Sequence, residues 1–187
     1  MMRTDNNRYM KSHSIRYVGV AVATAVSLVV CSCGESPESA RKSLIEAGVI
    51  KTEQDLTSTE GKVAFAKAAS QGDAELLRKM IIAGADVNAP YADGKTALVE
   101  ACYKGRVEIV KMLIKAGADV KHVSSNGLNV LMHTALGGDH VEVVRVLLDA
   151  GADARWRSRW GSNALGNAKH RHRTQIVKLL EERGIKE

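Results

Sequence analysis

A chain of 187 residues fits one domain with a tail or targeting segment to spare. Aromatic residues make up 4% and there are 2 prolines against 45% hydrophobic residues, a balance that suits helices packed with Ala, Val, Leu and Ile and disfavours a sandwich or barrel. The formal charge of +6 is uneven: basic and acidic residues number 4 and 1 in 1–32, 14 and 17 in 33–153, and 9 and 3 in 154–187.

In chain order, Arg3, Arg8, Lys11 and Arg16 precede an apolar run from Tyr17 to Cys31, which ends at Ser32-Cys33-Gly34. A basic head, a short apolar middle and small residues at the end describe a secretory signal peptide over 1–32. A membrane-spanning helix needs about 20 apolar residues. This run is shorter, and an uncleaved signal anchor is the rival reading. Val30-Cys31-Ser32-Cys33 resembles a bacterial lipoprotein processing site, in which the cysteine after cleavage takes a diacylglycerol thioether and an N-acyl chain. The resemblance implies lipidation at Cys33, which follows the small Ser32; Cys31 departs from the usual pattern. Each buried methylene contributes about 0.8 kcal/mol, so several acyl chains hold a protein durably on a membrane. Gly34 stands where an aspartate would mark inner-membrane retention. By the same resemblance it implies a cell-envelope, outer-membrane lipoprotein facing the periplasm. The alternatives are a secreted or periplasmic soluble form and an inner-membrane signal anchor.

Residues 33–60 read as a tether and a degenerate cap. A polar stretch, Gly34–Glu38, leads to a modest helix of about Glu38 to Ala47, stopped by Gly48. Its Leu44-Ile45-Glu46-Ala47-Gly48 echoes helix ends further on, as a worn half-repeat covering the first full unit would. Lys51–Glu60 reads as a polar connector.

From Gly61 onward a unit recurs. Gly61, Gly94, Gly127 and Gly161 open four copies and Gly84, Gly117, Gly151 and Gly184 close them, at a spacing of 33, or 34 where one residue is inserted near Gly138-Asp139. The second copy is the most regular. Thr96 is placed to cap a helix with Leu98, Ala101 and Cys102 inward; Gly105 permits a turn; Ile109, Val110, Leu113 and Ile114 face inward on a second helix. Gly117 sits where a helix ends in a left-handed residue. The first copy has Val63 where Thr96 stands, so its opening helix is expected to start less sharply, and Asp73 is placed to cap its second. Asn129 and Asn163 are the caps of the third and fourth. The turn Leu136-Gly137-Gly138-Asp139 is longer and glycine-rich, and is expected to be the loosest internal joint. Ala168-Lys169 and the closing Glu-Glu-Arg-Gly184 fit a terminal unit with a polar outer side.

Gly-Lys-Thr-Ala-Leu, Ala-Cys-Tyr-Lys-Gly, Val-Glu-Ile-Val-Lys and Ala-Gly-Ala-Asp-Val at this period resemble the ankyrin repeat. The resemblance implies an all-α solenoid of about four repeats (61–93, 94–126, 127–160 and 161–187) that binds proteins on a concave face of loop tips and exposed first-helix ends. Carried onto this chain, it points to Tyr91, Asp93 and Lys95 backed by Tyr103 and Lys104. It also points to Val123, Asn126 and Leu128, and to Arg157, Arg159 and Trp160 backed by His170 and Arg171. The Pro and His that often follow the capping Thr are missing; Thr96-Ala97-Leu98-Val99 stands there instead. Loss of the His bonds between loops would cost about 1 kcal/mol each.

The loop Ala154-Arg155-Trp156-Arg157-Ser158-Arg159-Trp160 stands apart. It holds both tryptophans of the chain, and no acidic residue follows until Glu181. Trp and Arg are the residues most enriched at binding hot spots. An acidic protein surface is the favoured partner; an anionic lipid or cell-wall polymer is the alternative. Against that, Trp156 could instead pack over the last helices. Cys102 reads as core. His170 and His172 point different ways on a helix, and His122, His133 and His140 lack metal spacing. With no phosphate loop, nucleophile elbow or HExxH, no enzyme and no cofactor is expected. Export argues against nucleic acid.

Overall fold

The computed structural model describes residues 34–186. Cys33 and the segment read as a signal peptide lie outside the described residues. Among those described there are nine α-helices: α1 (Pro37–Glu46), α2 (Thr59–Gln71), α3 (Ala74–Ile82), α4 (Ala97–Tyr103), α5 (Val107–Lys115), α6 (Val130–Gly137), α7 (Val141–Asp149), α8 (Ala164–His170) and α9 (Thr174–Glu182). No helix among them is long and apolar enough to cross a membrane.

Local chemistry sets several of these boundaries. Ser36 and Ser39 form a reciprocal capping box at the start of α1, with Pro37 in the first turn. Asp73, Asn129 and Asn163 each accept a backbone N–H from Leu76, Met132 and Gly166. Thr96 departs from expectation: it holds the extended cap conformation, but its side chain makes no capping bond and is buried.

The first repeat also starts earlier than expected. α2 begins at Thr59, capped by Ser58, whose hydroxyl accepts the Gly61 N–H. Gly61 therefore lies inside the helix. A Cβ there would sit 2.0 Å from the Asp55 carbonyl oxygen, so close backbone approach, not a turn, requires glycine. The stretch read as a polar connector contains a 3-10 turn (Glu53–Thr57) and buries Leu56, just after the buried Ile50. Its Asp55 carboxylate accepts the N–H groups of Lys51 and Thr52.

The helices stack in two rows. α2, α4, α6 and α8 pack on one another in sequence; behind them α1 packs on α3, α5 on α7, and α7 on α9. The cap helix α1 therefore belongs to the row of second helices, as half a repeat would. Residues one period apart form the core. Phe65, Leu98, Leu131 and Leu165 line the front row, and Met80, Leu113, Leu147 and Leu180 the rear, none more than 4% exposed. Each such side chain contributes about 1.5–3 kcal/mol of burial, supplied mostly by neighbouring repeats. Cys102 is fully buried, and burial pushes its thiol pKa up, as a packing role requires.

The glycine-rich turn after α6 is a tied joint. Arg173 donates to the carbonyls of Ala135 and Gly137 at 3.4 and 3.5 Å. The Asp139 carboxylate accepts the Gln175 and Ile176 N–H groups at 3.2 and 3.1 Å, capping α9 from the preceding repeat. The inserted residue gives this turn the reach to do so.

Candidate functional site

Three hairpin loops project beyond the front row, and each closes on one backbone bond. Tyr91 donates to Lys95, Ser124 to Leu128 and Ser158 to Ser162, at 2.9, 3.0 and 2.9 Å. The fourth residue of each loop, Gly94, Gly127 or Gly161, holds a positive φ of 67, 79 or 76° that makes the reversal possible.

Neighbouring loops are tied by bonds that replace the absent family histidines. Asn88 donates to the Gly117 carbonyl and accepts the Asp119 N–H. Ser125 donates its N–H to Asp93, and a ring nitrogen of His122 lies 2.6 Å from the Gly94 carbonyl oxygen. One period on, Trp156 takes the place of His122 and donates its indole N–H to the Gly127 carbonyl at 3.1 Å. The expected loss of inter-loop bonding is thus compensated by different side chains.

The sequence-derived residues now divide. Val123 forms a bridge with Asn129, Leu128 packs against the core, and Asn126 accepts from the Ser124 hydroxyl and the Leu128 N–H. These three shape their own loop. Arg157 donates to the Gly161 carbonyl of its own loop and Trp156 to Gly127 of the preceding loop, and both remain exposed, Trp156 at 38%. Trp160 is 66% exposed, with the Arg159 guanidinium stacked 4.4 Å from its ring centroid. Its indole covers no core. Asp93, Tyr103, Lys104, His170 and Arg171 are exposed along the same front.

A second group gathers behind the first loop. Tyr91 and Lys95 turn toward Glu100 of α4: the Tyr91 hydroxyl is 2.5 Å and the Lys95 ammonium 3.8 Å from its Oε1. Lys95, Val99, Glu100, Tyr103, Lys104 and His133 line one pocket of about 260 Å³. His133 is 4% exposed, with Nε2 2.7 Å from the Ser124 hydroxyl. Burial first, then the Lys95 charge, lowers its pKa to about 4, so it is neutral at physiological pH. Sequence reading overlooked Glu100 and weighed His133 only as a metal ligand. Glu100 lies one helical turn before Lys104, a spacing that could have singled it out; nothing along the chain links it to His133.

Among the described residues no group of three or more His, Cys, Asp or Glu side chains could hold a metal ion. The family model described as ankyrin repeats (3 copies) matches residues 28–124, just over half of the chain. The chain belongs to the ankyrin repeat family. The matched part ends before α6, yet α6 to α9 continue the ankyrin stack in the same two rows. No curated protein matches the chain. Ankyrin repeats are in general protein–protein interaction modules and typically non-catalytic.

Proposed function

We propose that this protein is a non-catalytic interaction module tethered in the bacterial cell envelope, and that it grips a protein partner with its loop tips and front-row helix ends. One observation carries the choice of surface. The three loop tips place Asp93, Asn126 and Trp160 at the same position, just before the turn glycine. Asp-Gly and Asn-Gly suit a tight turn because the short side chain bonds its own loop. Trp160 makes no such contribution and exposes two thirds of its surface. A large aromatic held out at a turn tip, with an arginine stacked on it, fits a hot spot better than it fits the fold.

The basic surroundings favour an acidic partner surface. Residues 154–180 hold Arg155, Arg157, Arg159, Lys169, Arg171, Arg173 and Lys178 and no acidic side chain. The envelope location rests on the basic head, the apolar run and Ser32-Cys33-Gly34. The first helix begins at Pro37, so a lipid at Cys33 would hold the repeats close to the bilayer.

Cross-linking the chain in isolated membranes, followed by capture, should recover a partner that Trp160→Ala loses while helical circular dichroism is unchanged. A partner retained by that variant would overturn the loop-tip reading. Flotation with anionic liposomes tests the lipid alternative, which predicts binding that needs no protein and weakens steeply with salt. Incorporation of an alkyne-labelled fatty acid, lost in Cys33→Ser, tests the anchor.

A further inference from the structure

The pocket behind the first loop carries a charge surplus that the fold does not use. Two ammonium groups, Lys95 and Lys104, and one carboxylate, Glu100, line it. Glu100 Oε1 already takes the Tyr91 hydroxyl and faces Lys95. Lys104 lies 5.5 Å from the Tyr103 ring centroid, and no carboxylate among the described residues forms an ion pair with it. His133, held on Ser124, brings no negative charge. The remaining wall is the Tyr103 ring, which is 39% exposed, over the buried Val99. An incoming cation would meet two ammonium groups and a carboxylate already occupied. An incoming carboxylate would meet Lys104, which has no carboxylate partner among the described residues, Lys95, which it would share with Glu100, and the Tyr103 ring for its stem.

We propose that this pocket receives a glutamate side chain from a protein partner, its carboxylate between Lys95 and Lys104 and its methylenes against the Tyr103 ring. The proposal rests on the interaction-module reading and names the chemistry one repeat unit selects. It makes recognition two-pointed: an acidic anchor in the second repeat, and the Trp160 tip farther along the same front. A charge-assisted contact at the half-buried Lys95 adds more to affinity than the same contact at the exposed Lys104.

Selection of a random-peptide phage library on the full chain tests it. Enriched peptides should share an acidic position, and changing that Glu to Gln should weaken binding about tenfold or more. Lys95→Gln and Lys104→Gln should each weaken the same peptides about tenfold. Circular dichroism melts check that the variants fold; if Lys95→Gln is destabilised, the exposed Lys104 carries the test. Peptides that bind through Trp160 yet ignore Lys95 and Lys104 would overturn the pocket and leave the interaction module standing. A selection yielding no peptide sensitive to Trp160, Lys95 or Lys104 would overturn both.

Discussion

Trp156 donates its indole N–H to the carbonyl of Gly127, closing one loop onto the next in the place where His122 meets Gly94 one repeat earlier. The two tryptophans of one loop therefore do different things, and mutation should separate them. Trp156→Phe keeps the ring and loses the donor, so we expect a stability loss of about 1 kcal/mol by urea denaturation. Trp160→Ala removes a side chain that covers no core and stacks on the exposed Arg159, so stability should change by no more than about 0.5 kcal/mol. Equal effects from the two would show that Trp160 packs after all.

Gly137 and Gly117 are both glycines of the repeat, required for different reasons. A Cβ at Gly137 would lie 2.0 Å from the Tyr103 carbonyl oxygen, where α4 and α6 touch backbone to side. Gly137→Ala should force the stack apart and cost about 1–3 kcal/mol, despite the better helix propensity of alanine. Gly117 has φ of 93° and nothing within 4 Å of a built Cβ. Gly117→Ala bears only the left-handed strain, about 1–2 kcal/mol. A shift in front-face amide resonances next to Tyr103, seen for Gly137→Ala alone, would mark the difference.

The period of 33 residues, written in glycines and in inward Leu and Ala positions, was enough to read the repeat stack. That part was legible because each repeat buries its face on a copy of itself, so packing repeats wherever the sequence does. Boundaries failed where one contact overrode the period. Gly61 looked like an opening turn and is a close-approach residue under Asp55; Thr96 looked like a cap and makes none. The pocket was half legible: Lys95, Tyr103 and Lys104 follow from their place in the repeat. Glu100 and His133 join them only because adjacent front helices sit side by side. Similarly, nothing local distinguishes Trp156 from Trp160 until the loops are laid over one another.

Asp139 caps α9 from the repeat before it, so the terminal repeat depends on a residue outside itself. Asp139→Ala removes the acceptor for two N–H groups at that helix start and should cost about 1 kcal/mol. Hydrogen exchange should show the loss confined to α8 and α9, where only one neighbour supports the repeat. Uniform loss of protection from α1 onward would instead mean that the array opens as one unit.

Folding should weaken in mild acid because of His133. Its pKa is lowered from 6.5 to about 4, by burial first and by Lys95 second, with Glu100 opposing. Between those values the unfolded chain binds a proton that the folded chain refuses, so stability is lost as pH falls from 6.5 toward 4. A shift of that size corresponds to at most about 3 kcal/mol at the acid end of the window. Asp55 acts lower on the scale. Its carboxyl is lowered below 3.8 by the backbone N–H groups of Thr52 and Lys51, so its contribution is lost only as pH falls further. His133→Gln keeps a polar partner for Ser124 and cannot titrate. Urea midpoints measured from pH 7 to pH 4.5 should fall for the parent and stay nearly flat for His133→Gln. Parallel slopes would mean that another group carries the acid sensitivity.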